Sequence, residues 1–133
     1  MEGFLLFCGM ATRNIFVQRI NGFANLLDNL SASSALLDDY PRRYLSYLLR
    51  HRHYYLHIYA FVLQKALEKS SKQITDVTLL DYGCGNGLLG LFAKYCGIKK
   101  VYLCDNVPNF IEGSKLTAAA LELEIDKFIT GTD

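Results

Sequence analysis

Asp81-Tyr82-Gly83-Cys84-Gly85-Asn86-Gly87-Leu88-Leu89-Gly90 places an acid and then four glycines within ten residues. Glycines at this density let a backbone turn sharply and let another group approach it closely. The residues on either side say what the turn connects. Val77-Thr78-Leu79-Leu80 is a short β-branched and apolar run, read as a strand that stops at Asp81. Leu88 to Tyr95 reads as a helix closed by Gly97, a residue suited to the left-handed conformation at helix C-termini. Val101 to Cys104 is a second strand ending at Asp105, Pro108 to Leu123 a second helix, and Phe128 to Thr130 a third strand. The order β-α-β-α-β with short links implies parallel strands joined by right-handed crossovers. That is the first half of a doubly wound α/β sheet.

Gly85-Asn86-Gly87-Leu88-Leu89-Gly90 also satisfies GxGxxG, the fingerprint of a dinucleotide (NAD-type) site. Its position argues against that reading, because the strand would have to run on through Gly83 to Cys84. Asp81 argues against it more strongly. A pyrophosphate sits on such a loop and on the following helix N-terminus. A carboxylate about 5 Å from that charge would cost on the order of 3 kcal/mol at an effective dielectric near 20. S-adenosyl-L-methionine (SAM) reverses the sign, since its ammonium and sulfonium are attracted by a carboxylate at the strand end, and its own carboxylate could use the loop amides. Asp105 lies 18 residues after Gly87, at the tip of the next strand. An acid there can accept both hydroxyls of an adenosine ribose, which NAD and SAM share.

The stretches LLDYGCGNGLLG and VYLCDNVPNFIEGSKLTAAA resemble the cofactor-binding half of the class I SAM-dependent methyltransferases, whose fold is Rossmann-like. Asp81, Gly83, Gly85 and Gly87 match that family's first motif, and Asp105 matches the acid closing its second strand. The resemblance implies SAM as cofactor, puts Asn106 and Val107 beside the adenine, and places a third contact at Thr132 or Asp133. It covers about residues 77–133 and is silent on the methyl acceptor and on any catalytic residue. The family has further strands beyond the third. The expectation is therefore a chain that is incomplete, self-associating or paired with another subunit, and inactive alone. A binding module without catalysis is the rival class.

Residues 1–72 hold nine Lys/Arg against five Asp/Glu, a net of +4, and six of the nine tyrosines. Residues 73–133 hold five against eight, a net of −3. The expected division is an N-terminal helical cap or lid over 1–72 and a SAM-binding half-domain over 73–133. Ile15, Phe16, Ile20, Phe23, Leu26, Leu27 and Leu30 recur at helical spacing, and Ser31 to Ser34 interrupts them. Asp38-Asp39-Tyr40-Pro41 looks like a helix start. The apolar series from Tyr44 to Leu67 makes one long helix or two, with a break near Arg50–His53, and ends at Ser70-Ser71-Lys72. His53 and His57 share a helix face, but no acid or cysteine joins them at ligand spacing, so no metal is expected. Packed rings with polar tips at the surface account for this cluster. A lid carrying His51, His53, His57 or a tyrosine as a base is the functional alternative.

The composition narrows the remaining classes. With 51% hydrophobic and 20% charged residues the chain is no disordered tail. No apolar run approaches the roughly 18 residues that span a bilayer, and a net charge of +1 gives little field for nucleic acid. Cys8, Cys84, Cys96 and Cys104 form no CxxC pair, which suits reduced thiols in a cytoplasmic protein. The apolar N-terminus has Glu2 where a signal peptide carries a basic residue; core packing or an ordered arm is the expectation for it.

Overall fold

The computed structural model describes residues 14–30 and 39–131. The N-terminal arm, Cys8, Ser31 to Ser34, Asp38, Thr132 and Asp133 lie outside the described residues. The helices are α1 (Ile20–Leu26), α2 (Asp39–Arg50), α3 (Arg52–Ser70), α4 (Leu88–Tyr95) and α5 (Pro108–Ala120). The strands are β1 (Thr78–Tyr82), β2 (Lys100–Asp105) and β3 (Lys127–Thr130). They form one sheet in the order β1-β2-β3, with both pairs parallel. The β-α-β-α-β half of a doubly wound, Rossmann-like fold is present as expected.

Register sorts the sheet into two faces. Leu79, Asp81, Val101, Leu103, Asp105 and Phe128 share one face, and both crossover helices pack there. Leu103 lies against the positions of Gly87 and Gly90, and Lys115 of α5 lies 5.9 Å from the Phe128 ring. On the opposite face Leu80 and Tyr82 stay exposed, at 52% and 63%. The edge of β1 away from β2 pairs with no other described strand.

The helical N-terminal region joins the same hydrophobic core, which runs unbroken from Phe16 to Leu121. Phe23 on α1 packs its ring 5.3 Å from both Phe92 and Tyr95 of α4. Leu56, Ala60 and Leu63 form the buried face of α3. The segment over 15–30 is less regular than its spacing predicts. Two 3-10 turns, Val17–Arg19 and Leu27–Asn29, flank seven residues of α-helix. Asn21, Gly22, Asn25, Asp28 and Asn29 are poor helix formers, so burial of Phe16, Ile20, Phe23, Leu27 and Leu30 holds the segment rather than propensity. The long apolar series does break into two helices, at His51, where φ is −111° and ψ 28°.

Candidate functional site

The sheet tips and the glycine loop assemble the site. β1 runs two residues further than its apolar run suggests, through Asp81 and Tyr82, because the ladder with β2 continues to the pair Tyr82–Cys104. The loop then turns back on β2, with the amides of Gly83 and Cys84 both donating to the Cys104 carbonyl, at 2.8 and 2.9 Å. Gly83, Gly85 and Gly87 have φ of 74°, 56° and 80°, the left-handed region that side chains avoid. Gly87 is doubly required, since a Cβ there would lie 2.7 Å from Leu103 Cδ1 and 3.1 Å from Ser114 Oγ.

Asp105 is the hub. It is buried at the end of β2. Its Oδ2 accepts the Gly85 amide and its Oδ1 the Val107 amide, each at 2.9 Å. One carboxylate thus fixes the glycine loop and the loop that follows its own strand. Each oxygen keeps a second acceptor position. Asp105 also lines a pocket of about 100 Å³ with Tyr82, Gly83, Cys104, Asn106 and Gly131. A whole small ligand needs roughly 300–1,000 Å³, so this recess suits a ribose-sized portion. Gly83 borders open space, with no atom within 4 Å of where its Cβ would be. The structure therefore brings Asp105, Asn106 and Gly83 to one recess, with Gly85 bonded to its acid and Val107 at the start of α5.

Asp81 sits one strand away and faces the helices. Its Oδ2 accepts the Gly90 amide at 3.1 Å, so the acid meets an N–H that the first turn of α4 leaves without a helical partner. Burial raises its pKa, the Gly90 N–H partly opposes this, and the nearby Asp105 charge adds to it. The amides of Gly83, Cys84, Gly85 and Gly87 are all engaged within the protein. An incoming phosphate would meet spent donors and two carboxylates. The same engagement narrows the set of loop amides open to a ligand carboxylate.

Cys84 sits half-buried inside the loop. Burial first, then the Asp81 charge, pushes its thiol up to about 12. The histidines stand apart from the loop. His51 packs 4.9 Å from the Tyr47 ring, and His57 Nδ1 bonds the His53 carbonyl oxygen at 2.7 Å. His53 and His57 line an open hollow of about 470 Å³ on α3, with Tyr54, Ile58 and Phe61. Among the described residues no three His, Cys, Asp or Glu side chains gather as a metal group, and no helix is long and apolar enough to cross a membrane.

Two contacts that the motif reading does not contain join α2 to the loop. Tyr44 of α2 places Cε1 3.1 Å from the Cβ position of Gly85. Asn86 is fully buried and donates from Nδ2 to the Pro41 carbonyl at 2.9 Å, while its Oδ1 is buried without a partner among the described residues. Forty-one and 45 positions separate these pairs, beyond the reach of any spacing rule.

Comparison with known proteins adds a second line. Over 57 residues the chain is 37% identical to the ribosomal protein L11 methyltransferase of Synechococcus elongatus, covering 43% of this chain and 19% of that protein. Over 59 residues it is 37% identical to the one from Paraburkholderia phymatum, covering 44% and 19%. Over 40 residues it is 45% identical to that of Paraburkholderia phytofirmans, covering 30% and 13%. Its partial homologues are methyltransferases. The chain spans about a fifth or less of the length of these curated relatives. No family model matches it, and no solved structure does. The likeness to methyltransferases thus rests on two lines, the strand-end acids and glycines, and direct sequence identity to named methyltransferases.

Proposed function

We propose that this chain holds S-adenosyl-L-methionine on the tips of β1 and β2 as the donor site of a methyltransferase. One observation carries the reading. The Asp105 carboxylate is oriented by two backbone amides at the wall of a ribose-sized recess, with a second carboxylate, Asp81, at the neighbouring strand end. In this reading Asp105 accepts the ribose hydroxyls, and Asn106 and Val107 border the adenine. Gly83 gives the ligand close approach to the backbone, Gly85 and Gly87 shape the turn that presents it, Asp81 attracts the cationic methionine end, and Asp133 is the further contact after β3. When bound, SAM supplies a methyl group already activated on sulfur. The chain's own part is then alignment and exclusion of water rather than proton transfer. No residue is assigned as a base, because the histidines contact α3 and Tyr47 instead of the loop.

The carboxylates also favour this donor over a dinucleotide. Four loop N–H groups, those of Gly83, Cys84, Gly85 and Gly87, are engaged within the protein, and Asp81 accepts the Gly90 amide in the first turn of α4. The relatives' name speaks of a ribosomal protein as acceptor; nothing in the residues around this loop selects one, so the proposal stops at the donor.

Titration calorimetry with SAM and with NAD tests the reading. Asp81→Asn removes the charge while leaving an oxygen for the Gly90 amide, and should weaken SAM binding about tenfold, within the few kcal/mol available to such a charge pair. Binding of NAD without SAM, or unchanged SAM affinity in Asp81→Asn, would contradict it.

A further inference from the structure

We propose that Tyr44 is a specificity residue of the donor site, its ring held over the glycine loop so that it favours the charged sulfonium donor over the uncharged thioether left after methyl transfer. The inference rests on the donor reading above and extends it to a residue outside the loop and strand tips.

Three observations place the ring. First, Tyr44 covers the loop itself, with Cε1 3.1 Å from the Cβ position of Gly85, so the absent side chain is what lets the ring come close to the backbone. Second, the ring is fixed rather than free to swing. It meets Phe110 of α5 edge-on, with centroids 5.5 Å apart, and α2 is anchored by buried Leu45 and Leu48 and by the Asn86 to Pro41 bond. Third, Tyr44 as a residue remains 40% exposed, so a ligand on the loop has surface of it to contact. An aromatic ring attracts a cation through its quadrupole and does little for a neutral thioether of the same shape.

The test measures the affinities of SAM and of S-adenosylhomocysteine for the full chain and three variants. Tyr44→Phe keeps the ring and should preserve the affinity ratio within about twofold. Tyr44→Leu and Tyr44→Gln remove it, and should lower the preference for SAM on the order of tenfold while the thioether's affinity holds. Two non-aromatic variants are used so that one misfolded protein, detected by its melting curve, does not end the test. An unchanged ratio in a folded Leu or Gln variant overturns the role of Tyr44 and leaves the donor reading standing. Equal loss of both ligands also overturns it, reducing Tyr44 to a neutral wall. If the unaltered chain binds neither ligand, the donor reading falls and this inference with it.

Discussion

Replacing Gly90 by alanine reveals what that glycine does, because two accounts predict opposite signs. Gly90 lies in the first turn of α4 with an ordinary helical backbone, and no positive φ is recorded for it. If it were merely a helix glycine, alanine would stabilise the chain by up to about 1 kcal/mol through helix propensity. The packing predicts the reverse. An added methyl would collide with Leu103 Cδ2, lie 3.1 Å from Val101 Cγ1 and press on Asp81 Oδ2 at 3.4 Å. Leu103 is fully buried, and its other methyl already fills the space beside Gly87, so rotating away from residue 90 drives it towards residue 87. Overpacking of this kind costs about 1–3 kcal/mol. Set against the propensity gain, the net expectation for Gly90→Ala is destabilisation of about 1–2 kcal/mol. Urea denaturation followed by circular dichroism measures it. In the double variant with Leu103→Ala the two losses should fall short of additive by at least about 1 kcal/mol, since the second change removes the obstructing methyls. A Gly90→Ala chain as stable as the parent, or more so, would refute the close-packing account of the glycine pattern.

Two further outcomes follow from the charged and thiol groups. Asp126 accepts the Val101 amide at 2.8 Å and pairs with Lys94 at 2.9 Å, and these bonds hold its carboxyl below the usual range, the Val101 N–H foremost. A lowered folded pKa means stability that is present above the unfolded value near 3.9 and lost as pH falls through the folded one. Melting curves of the parent and of Asp126→Ala should therefore differ at pH 6 and converge towards pH 3. A constant gap would show that the charge is irrelevant. The Cys84 and Cys96 thiols are both pushed up to about 12 by burial, leaving about one thiolate in ten thousand at pH 8. Intact mass after iodoacetamide treatment of the folded chain should show both unmodified, and rapid alkylation of Cys84 would contradict its assigned environment.

Elements with a local cause were legible in the sequence. Leu88–Tyr95 has the expected bounds because glycines stop it at both ends, and the break near Arg50–His53 occurs at His51. The second crossover helix ends at Ala120 rather than Leu123. Its end carries no glycine, and Glu122 takes the left-handed turn instead, at φ 55°. That choice depends on Leu121 and Leu123 reaching the core. The first strand outran its apolar run because pairing with β2, not hydrophobicity, carries it through Tyr82. At the site, Asp81, Asp105 and the loop glycines could be read from type and spacing. The contacts of Tyr44 with Gly85 and of Asn86 with Pro41 could not, since they depend on the packing of α2 onto a loop more than 40 residues away. The histidines drew notice through their clustering, yet burial of Leu56, Ala60 and Leu63 turns them to the outer side of α3.

The double attachment of Asp105 has an evolutionary consequence. The same two oxygens proposed to read the ribose also hold Gly85 and Val107 in place, so binding and architecture share one side chain. A descendant that gave up its donor would still need this aspartate to close the turn. The acid should therefore outlive the activity in degenerate copies of the fold. Its presence in a sequence attests first to the shape of the loop, and only through that shape to the chemistry.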